Sequence, residues 1–551
     1  MVDGVYLGLT KFNKEYEKPV AYFSMEFAIH QALKIYSGGL GFLAGSHMRS
    51  VYDLKQNVIG VGILWSYGYY DQARDEGRNL KIEFRRKYYH FLEDLDIKVT
   101  VTINDKPVIV KAFLVPSKLF GSAPIILLST DIEENDYLAR TITHHLYDMN
   151  ERTRIAQEIV LGIGGVKVLD ALNHKVDIYH MNEGHALPLV FELYKKLQDK
   201  EALKEKIRFT THTPEAAGNE IHDIQLLLKM GFFNGLDLQT VREITGYENN
   251  DNFSLTVGAL RVAKIANGVS KMHAKVAKEM WKEYDGVCDI IAITNAQNKR
   301  FWADKAMLRA LDEHEEYELI ARKKHLKRVL FDEVANQTGK MFDPDILTLV
   351  WARRFAEYKR PGLLKYDFER FEDLITRSDK PIQVIWAGKP YPHDTNAINL
   401  FNELAYIGRS YKNMAVLIGY ELALSALLKK GADIWLNTPR ITREASGTSG
   451  MSAAMNGAVN YSIADGWYPE FCEDGVNGFT ILGADPSLSI EEQDKNDNKS
   501  MIDRLENEII PIYYDNPKEW GQMMVNSMNG VLNKFESGSM AHKYYEQMYK
   551  F

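Results

Sequence analysis

Short apolar runs alternate along the chain with longer segments of helical periodicity, and this alternation constrains the fold most strongly. Strands that alternate with helices are typical of parallel sheets covered by helices on both faces. Segments 152–172 and 303–333 have the helical spacing of apolar residues. The predicted strands are Pro107–Val115, Ile125–Ser129, Asp177–Met181, Ile207–His212, Asp289–Asn295, Leu347–Trp351, Ile382–Trp386, Met414–Gly419 and Asp433–Asn437. The sequence therefore predicts the α/β class.

At 551 residues the chain is too long for one ordinary hydrophobic core. The predicted strands form two sets, so we expect two doubly wound domains, 1–297 and 298–551, with the boundary near Asn295–Trp302. In open parallel sheets, ligands bind at the carboxyl ends of the strands. We therefore expect the functional site in a cleft between the two domains.

Composition and charge argue against several classes of protein. The formal net charge of −8 disfavours general binding to nucleic acid or to a membrane surface, although a local basic cleft is compatible with it. The two cysteines, Cys288 and Cys472, have neither metal-ligand nor disulfide-framework spacing, which fits a reducing cytoplasm. The first residues lack the pattern of a signal peptide, and no window approaches the length of a membrane span. We expect a soluble, cytoplasmic protein.

Two short segments beside predicted elements are candidate anion-binding sites. Tyr36–Gly45 is a glycine-rich loop before a predicted helix over 47–54, and glycines let backbone N–H groups approach an anion or sugar closely. Its spacing matches neither the dinucleotide nor the P-loop pattern, and a simple tight turn explains it equally well. After another predicted strand, Arg354 and Lys359 can converge on one phosphate; a solvated basic face is the alternative.

Histidines and carboxylates identify no catalytic site by themselves. His185 and His212 both follow predicted strands, but a single histidine in such a place is more often structural. None of the 15 histidines combines with carboxylates at zinc-binding spacing, so we predict no metal site. Glu183, Glu215 and Glu444 lie in candidate loops, yet the sequence places no two of them across a glycosidic bond.

Taken together, these segments form an ordered set that extends over most of the chain. The set closely resembles the glycogen/starch (α-glucan) phosphorylase family, in its compact bacterial and archaeal branch. The match holds from about residue 20 to the C-terminal helices. The segments that carry it are Tyr22–Phe27, Ser37–Gly41, Met181–His185, Thr210–Pro214, Asn267–His273, Ile293–Asn295 with Trp302, Arg353–Arg360 and Glu444–Gly457.

The resemblance implies a GT-B fold of two Rossmann-like domains, with the last helices crossing back to the first domain. It also implies an enzyme, a glycosyltransferase that transfers glucosyl units with retention at the non-reducing end of α-1,4-glucans. The partners would be an α-1,4-glucan or maltooligosaccharide and a sugar phosphate or nucleotide sugar. Members of the family are often dimers, and no segment of this sequence identifies an interface. Little of the chain precedes Tyr22, so we expect regulation through a long N-terminal extension to be absent.

The resemblance also assigns roles to residues that match the family motifs. Arg354 and Lys359 would hold the phosphate, and His212 and Asn295 would lie near the 6-position of the donor glucose and the developing charge. Fixed dipoles and cations suit an oxocarbenium-like transition state with a departing phosphate. Glu444 with the backbone at Ser446, Gly447 and Thr448 would hold the sugar hydroxyls, and the loop residues Gly38, Gly39, Leu40 and Gly41 would approach the sugar and the phosphate.

One position departs from the family pattern. Phosphorylases carry a lysine after the methionine of Gly-Thr-x-x-Met, and this lysine binds pyridoxal phosphate as a Schiff base, whereas this chain has Ser452. A hydroxyl cannot form that imine, and no lysine lies between Lys430 and Lys495. We therefore predict that no cofactor is bound covalently. We also expect the small side chains at 452–454 to leave room for a nucleoside diphosphate-sugar.

Three interpretations remain open on the sequence alone. The first is a glucosyltransferase that works without covalent pyridoxal phosphate and uses a nucleotide sugar. The second is a phosphorylase that uses phosphate and glucose 1-phosphate, with free pyridoxal phosphate or another anion in the vacated pocket. The third is a catalytically silent glucan-binding or regulatory protein, which the retained Arg354, Lys359 and Glu444 argue against.

Overall fold

A computed structural model describes residues 12–214, 219–247 and 251–550. The chain divides into two compact units. Unit 1 comprises Met1–Tyr70, Phe84–Thr294 and Ser537–Phe551, and unit 2 comprises Asp71–Glu83 and Asn295–Glu536. The division at Thr294 lies close to the expected boundary at residue 297. The short segment Asp71–Glu83 differs from the expectation, because it belongs to unit 2.

The strands are numbered along the chain. They are β1 Val20–Phe23, β2 Val58–Ile63, β3 Asp71–Arg74, β4 Leu80–Glu83, β5 Glu93–Ile103, β6 Lys106–Val115, β7 Ile125–Ser129, β8 Ile178–Asn182, β9 Ile207–Thr211, β10 Ile221–Asp223, β11 Asn252–Ser254, β12 Ile265–Gly268, β13 Ile290–Ala292, β14 Leu347–Ala352, β15 Ile382–Ala387, β16 Met414–Leu417, β17 Ile434–Asn437, β18 Val459–Ile463 and β19 Gly478–Ile481.

The α-helices are numbered in the same way. They are α1 Gly39–Leu54, α2 Ser117–Phe120, α3 Tyr137–Thr141, α4 Glu151–Ile159, α5 Gly165–Ala171, α6 Leu189–Leu197, α7 Lys200–Lys206, α8 Ile224–Met230, α9 Leu238–Thr245, α10 Leu255–Val262, α11 Lys271–Trp281, α12 Lys299–Trp302, α13 Lys305–Asp312, α14 Glu316–Thr338, α15 Phe368–Thr376, α16 Thr395–Gly408, α17 Leu422–Gly431, α18 Ser449–Ala454, α19 Tyr468–Phe471, α20 Ile490–Arg504, α21 Ile510–Asp515, α22 Pro517–Lys534 and α23 Ser537–Tyr544.

Unit 1 is built on a sheet of nine strands in the order β13-β12-β9-β8-β1-β2-β7-β6-β5. The strands from β13 to β7 pair in parallel, and β6 and β5 extend the sheet in antiparallel pairing. The central strands β1, β2, β7, β8 and β9 are buried along their whole length. Because parallel strands share one direction, the carboxyl ends of β1, β8 and β9 meet at one edge of this sheet.

Unit 2 is built on a sheet of six parallel strands in the order β16-β15-β14-β17-β18-β19. Alternate residues of β14 enter the two hydrophobic cores of the unit: Leu349 and Trp351 join one core, whereas Val350 and Ala352 join the other. A strand that is buried on both faces consists almost entirely of apolar residues, which explains why β14 was predicted from its apolar run. The predicted α/β class with mostly parallel sheets, as in the GT-B type, is confirmed.

Two predicted helices differ from the structure. The helix expected over 47–54 begins much earlier, at Gly39, so part of the glycine-rich loop is the first turn of α1. The helical segment 303–333 is divided into α13 and α14, because His314 between them has a φ of 60° and interrupts the helical path. The predicted helical segment 152–172 is continuously helical as far as Ala171, with one π-helical turn at Val160–Gly164 between α4 and α5.

The C-terminal segment is an integral part of unit 1. The Tyr549 hydroxyl lies 2.5 Å from Nδ1 of the buried His180 on β8, and the Tyr544 hydroxyl accepts from Asn267 Nδ2 on β12 at 3.1 Å. The Ser50 and Ser537 hydroxyls lie 2.5 Å apart, which joins α1 to α23. These buried polar contacts fix the segment against the sheet of unit 1.

Among the described residues, no helix combines the length and the apolar character that crossing a membrane requires.

We predict that Gly388→Ala destabilises the protein. Gly388 follows β15 with a φ of 154°, and a Cβ there would lie 1.9 Å from the Arg353 carbonyl oxygen. Overpacking of this kind costs about 1–3 kcal/mol, since the backbone at the end of β14 must move. Urea unfolding measures the loss. Gly408→Ala in α16 is the matched control, because its Cβ would make only ordinary contacts of 3.6 Å or more with Met414. Equal midpoints for the two variants would contradict the prediction.

Candidate active site

A charged cluster lies at the carboxyl edge of the sheet in unit 2. Arg353 follows β14 directly, and Asn437 ends the neighbouring strand β17. The buried Arg353 guanidinium donates from Nη2 to Asn437 Oδ1 and, at 3.1 Å, to the Ser449 hydroxyl at the start of α18. The parallel pairing of the two strands therefore holds this guanidinium in a fixed position.

Glu444 is the anion of the cluster. Arg353 Nη1 donates to Glu444 Oε2 at 3.0 Å, and Lys359 Nζ donates to the same oxygen. The three side chains are almost fully buried. Burial alone would raise the pKa of Glu444, but Lys359 and Arg353 outweigh it and hold the pKa below its usual range. Glu444 is therefore ionised and joined to two cations, which we name the cationic cluster: Arg353, Lys359 and Glu444.

The predicted pair of Arg354 and Lys359 has two different environments. Lys359 is buried in the cationic cluster, whereas Arg354 is exposed and donates from Nη2 to the Tyr358 hydroxyl at 3.2 Å. Burial alone would raise the pKa of Tyr358. The positive charges of Lys359 and Arg354 outweigh this effect, so the pKa of Tyr358 lies below its usual value. Lys359 thus shares an oxygen of Glu444 with Arg353 and not with Arg354.

Asp465 holds the backbone beneath Glu444. Asp465 follows β18, and its Oδ2 accepts from the Glu444 backbone N–H at 2.9 Å while its Oδ1 accepts from the Gly466 N–H at 2.8 Å. It is 3% exposed. Burial is the main cause that raises the pKa of Asp465, the nearby Glu444 adds to it, and the pKa reaches about 7. This carboxyl therefore titrates near neutral pH while it fixes the loop that carries Glu444.

The residues predicted to hold sugar hydroxyls lie in the loop between Glu444 and α18. Ser446 is buried, and its hydroxyl has no partner among the described residues. Gly447 has a φ of 86°, a conformation that favours glycine, and its Cα lies against Glu444, where a Cβ would be 3.4 Å from Cγ. Thr448 precedes α18 as its N-cap. Asn295 belongs to unit 2, is buried, and its Oδ1 likewise has no partner within the described chain.

Ser452 lies inside α18 and is fully buried, and its hydroxyl donates to the carbonyl oxygens of Thr448 and Ser449 at 3.3 and 3.2 Å. Ala453 and Ala454 are also 0% exposed, so no water-sized space adjoins these side chains. The expectation that small side chains at 452–454 leave room for a ligand is therefore wrong. The reason is close packing, since α18 lies against α17 and α22.

In unit 1, His212 follows β9 and contacts residues that end β8. Its Nε2 lies 2.6 Å from Asn182 Oδ1, and its backbone N–H donates to Glu183 Oε1. Burial, with smaller contributions from His273 and His185, lowers the pKa of His212 to about 3. The imidazole is therefore neutral at physiological pH. Donation from Nε2 to the Asn182 carbonyl leaves Nδ1 as the acceptor.

The glycine-rich loop of unit 1 surrounds a protein carboxylate. Glu26 Oε2 accepts from the backbone N–H groups of Ser37 and Gly38 at 2.6 and 3.2 Å, and Oε1 accepts from the Tyr147 hydroxyl at 2.7 Å. A Cβ built on Gly38 or Gly39 meets no atom within 4 Å, so both border open space. Leu40 and Gly41 continue into α1, where a Cβ on Gly41 would lie 2.7 Å from Glu26 Oε2.

Sequence reasoning missed Arg353, Asp465 and Glu26 as site residues. Arg353 stands next to Arg354, and the sequence carries no signal for which guanidinium turns inward. Asp465 and Glu26 each lie two or three residues after a buried strand, β18 and β1, and this position was the available signal. Three carboxylates were considered from the sequence. Glu444 lies in the cationic cluster, Glu183 accepts from the His212 N–H, and Glu215 lies outside the described residues.

Comparison with known proteins connects this geometry to one family. Residues 290–509 match the family model described as carbohydrate phosphorylase. An uncharacterized protein of Methanocaldococcus jannaschii is 48% identical over 97% of this chain and 100% of its own length. A maltodextrin phosphorylase of Thermococcus litoralis is 33% identical over 97% of this chain and 71% of its own length. A glycogen phosphorylase of Aquifex aeolicus is 30% identical over 98% of this chain and 87% of its own length.

We predict that Asp465→Asn changes the pH dependence of stability. The pKa of Asp465 is about 7 in the folded protein, against 3.8 as its ordinary value. Between these pH values the folded state keeps a proton that the unfolded state has lost, so stability falls as pH rises. The slope is at most about 1.4 kcal/mol per pH unit. Urea unfolding of both proteins from pH 5 to 8 should show the wild type losing stability relative to the variant. Parallel curves would contradict the prediction.

Proposed function

Because the chain belongs to the carbohydrate phosphorylase family and is a glycosyltransferase of the phosphorylase type, we propose that it transfers glucosyl units to or from the non-reducing end of α-1,4-glucans with retention. The donor is a glucose joined at C1 to a phosphate, either glucose 1-phosphate or a nucleoside diphosphate-glucose. Both donors place a phosphate oxygen at the bond that breaks. The names of the relatives in Thermococcus litoralis and Aquifex aeolicus support the glucan substrate.

The observation that carries the proposal is the cationic cluster. Lys359 is a buried ammonium and Arg354 an exposed guanidinium in the segment that follows β14. Both approach Tyr358: Lys359 Nζ lies 4.8 Å from the centroid of its ring, and Arg354 donates to its hydroxyl. Fixed cations stabilise a departing phosphate more than a flexible charge does, since no reorganisation is needed as the charge develops. Glu444 holds Lys359 and Arg353 in place. We propose that Lys359 and Arg354 bind the phosphate and that Glu444 orients the cations and the glucose hydroxyls.

The sugar side of the proposal rests on unpaired polar atoms. The Ser446 hydroxyl and Asn295 Oδ1 are buried and lack a partner within the described chain. Buried polar groups without partners are costly, so a hydroxyl-rich ligand that supplies hydrogen bonds would stabilise them. In unit 1, the neutral His212 offers a hydrogen bond without adding a positive charge. The loop at Gly38 and Gly39 borders open space, which suits close approach of a sugar.

Retention follows from chemistry on one face of the sugar. As the bond from C1 to the phosphate breaks, positive charge develops at C1 and negative charge develops on the phosphate. The phosphate leaves with the bonding electron pair, the acceptor hydroxyl oxygen bonds to C1 on the same face, and its proton passes to an oxygen of that phosphate. The enzyme then supplies orientation and charge stabilisation through Lys359, Arg354 and Glu444, and needs no separate side-chain base.

Phosphorylases use phosphate as co-substrate and usually carry pyridoxal phosphate. The residues here do not fit covalent binding at position 452, because Ser452 has no amine and its hydroxyl bonds to backbone carbonyls. Lys429 on the adjacent helix α17 is buried, with Nζ 3.5 Å from the centroid of the Trp302 ring, and burial holds its pKa well below the usual range. We propose that the protein acts without covalent pyridoxal phosphate.

The donor can be identified by phosphorus NMR. The protein is incubated with maltoheptaose and, in parallel, with inorganic phosphate, ADP, UDP or GDP. Glucose 1-phosphate would identify phosphorolysis, and a nucleotide-sugar signal would name the nucleotide. If all reactions stay silent while the glucan still binds, the protein is a glucan-binding protein and the proposed activity is wrong.

We predict that Lys359→Met lowers the turnover of this reaction ~100-fold or more, the size of effect seen when one fixed electrostatic group is removed from a charged transition state. Lys365→Met is the matched control, because Lys365 pairs with the half-exposed Glu403 in the same unit. The control should keep wild-type turnover. Equal rates for the two variants would show that Lys359 has no catalytic role. Circular dichroism of both variants checks that they fold.

We also predict that the purified protein shows no visible absorption band that borohydride reduces, even after incubation with pyridoxal phosphate and removal of the excess. The intact mass should remain that of the bare chain. A reducible band would contradict the proposal. Repeating the measurement on Lys429→Met would then show whether the amine on α17 forms the imine, since the band would be lost in that variant.

A further inference from the structure

A second cluster of functional groups lies in unit 1. Glu158 belongs to α4, Glu220 directly precedes β10, and His222 is the middle residue of β10. In extended chain, residues two apart point to the same side. One ligand atom from each of the three residues lies within 4.8 Å of the other two. Sequence spacing predicted no metal site, because these ligands come from segments that are far apart in the chain.

The cluster contains several buried polar atoms that lack hydrogen-bond partners among the described residues. Glu158 is 0% exposed, and neither of its carboxylate oxygens has a partner. Glu220 Oε2 and His222 Nε2 lie 3.5 Å apart, and neither makes a hydrogen bond of normal geometry within the described chain. A buried carboxylate without a partner is strongly unfavourable, and such atoms in one place indicate a missing water, proton or ion.

The surrounding contacts orient these atoms as they do in metal sites. His222 Nδ1 lies 2.8 Å from Glu151 Oε1, and in the neutral tautomer that donates there, Nε2 keeps a lone pair for a metal ion. The Arg154 guanidinium donates to Glu220 Oε1, which leaves Oε2 of the same carboxylate turned to the cluster. Carboxylates that hold the second nitrogen of a ligating histidine are the usual outer partners of bound metals.

We propose that Glu158, Glu220 and His222 bind a divalent first-row transition-metal cation, for which Zn²⁺ is the probe. Two carboxylates and one imidazole are ligands that such cations accept, and the imidazole disfavours Mg²⁺ and Ca²⁺, which prefer oxygen. The cation would bring two positive charges to two carboxylates that are near each other. Within the described chain, Arg154 is the one arginine or lysine paired with them, and His185 Nε2 lies 3.6 Å from Glu220 Oε1. Three protein ligands leave further coordination positions open.

The test begins with protein that has been dialysed against a chelator. Titration with Zn²⁺ by calorimetry should show one site per chain, and Co²⁺ should give visible absorption bands from the bound ion. Mg²⁺ and Ca²⁺ should bind at least tenfold more weakly than Zn²⁺. Glu158→Gln keeps the shape of the side chain but removes its charge, and His222→Gln removes the nitrogen ligand. Both variants should lose the site.

Two further variants test whether Zn²⁺ binds at this cluster: one changes the carboxylate that contacts His222, and the other changes a separate group of surface residues. Glu151→Gln, at an exposed position, should weaken Zn²⁺ binding about 10-fold to 100-fold. Glu15, His542 and Glu546 form a second group of possible ligands at the surface, so His542→Gln is the control and should keep full affinity. The proposal is overturned if the wild type does not bind Zn²⁺, if Glu158→Gln binds it equally well, or if only His542→Gln loses binding.

Discussion

The ionised carboxylate of Glu444 is the interaction on which the site in unit 2 depends. Arg353 and Lys359 are both buried, and two cations so close together would repel one another and lose their hydration without this anion. The carboxylate in turn needs its cations, since burial alone would favour its neutral form. Each group is therefore stable only with the others. A substitution at any of the three is expected to disturb both stability and binding.

The sheet explains why this cluster can exist at all. The parallel strands β14 and β17 end side by side, and each delivers a polar residue to the same edge, Arg353 and Asn437. Asp465 comes from the next strand, β18, and holds the backbone of Glu444 from below. The hydrophobic strands are buried on both faces and fix these positions. Polar groups thus collect where the apolar sheet ends, and chemistry that needs fixed charges can use this edge.

Much of the fold was predictable because buried parallel strands are continuous apolar runs. Strands such as Ile125–Ser129 and Ile382–Ala387 follow that pattern. Strand β18 was not predicted, because its residues Asn460 and Ser462 are polar although buried. The sequence motifs singled out two members of the cationic cluster, Lys359 and Glu444, but gave no sign that Arg353 also turns into it; the predicted phosphate contact of Arg354 stays a prediction. The cluster of Glu158, Glu220 and His222 left no local signal, since only tertiary packing brings a helix and a distant strand together.

The C-terminal segment has a consequence for synthesis on the ribosome. The strands of unit 1 are complete by Ala292, and His180 and Asn267 already share Thr210 Oγ1 as a partner within the sheet. The further contacts of His180 Nδ1 with Tyr549 and of Asn267 Nδ2 with Tyr544 form only with the C-terminal segment. The whole of unit 2 beyond Thr294 is translated between these events. Unit 1 therefore lacks the contacts of Tyr544 and Tyr549 until this segment has been synthesised, whereas unit 2 already has most of its chain. A nascent chain that stops before Tyr544 would lack the buried contacts that hold the C-terminal segment against the sheet of unit 1.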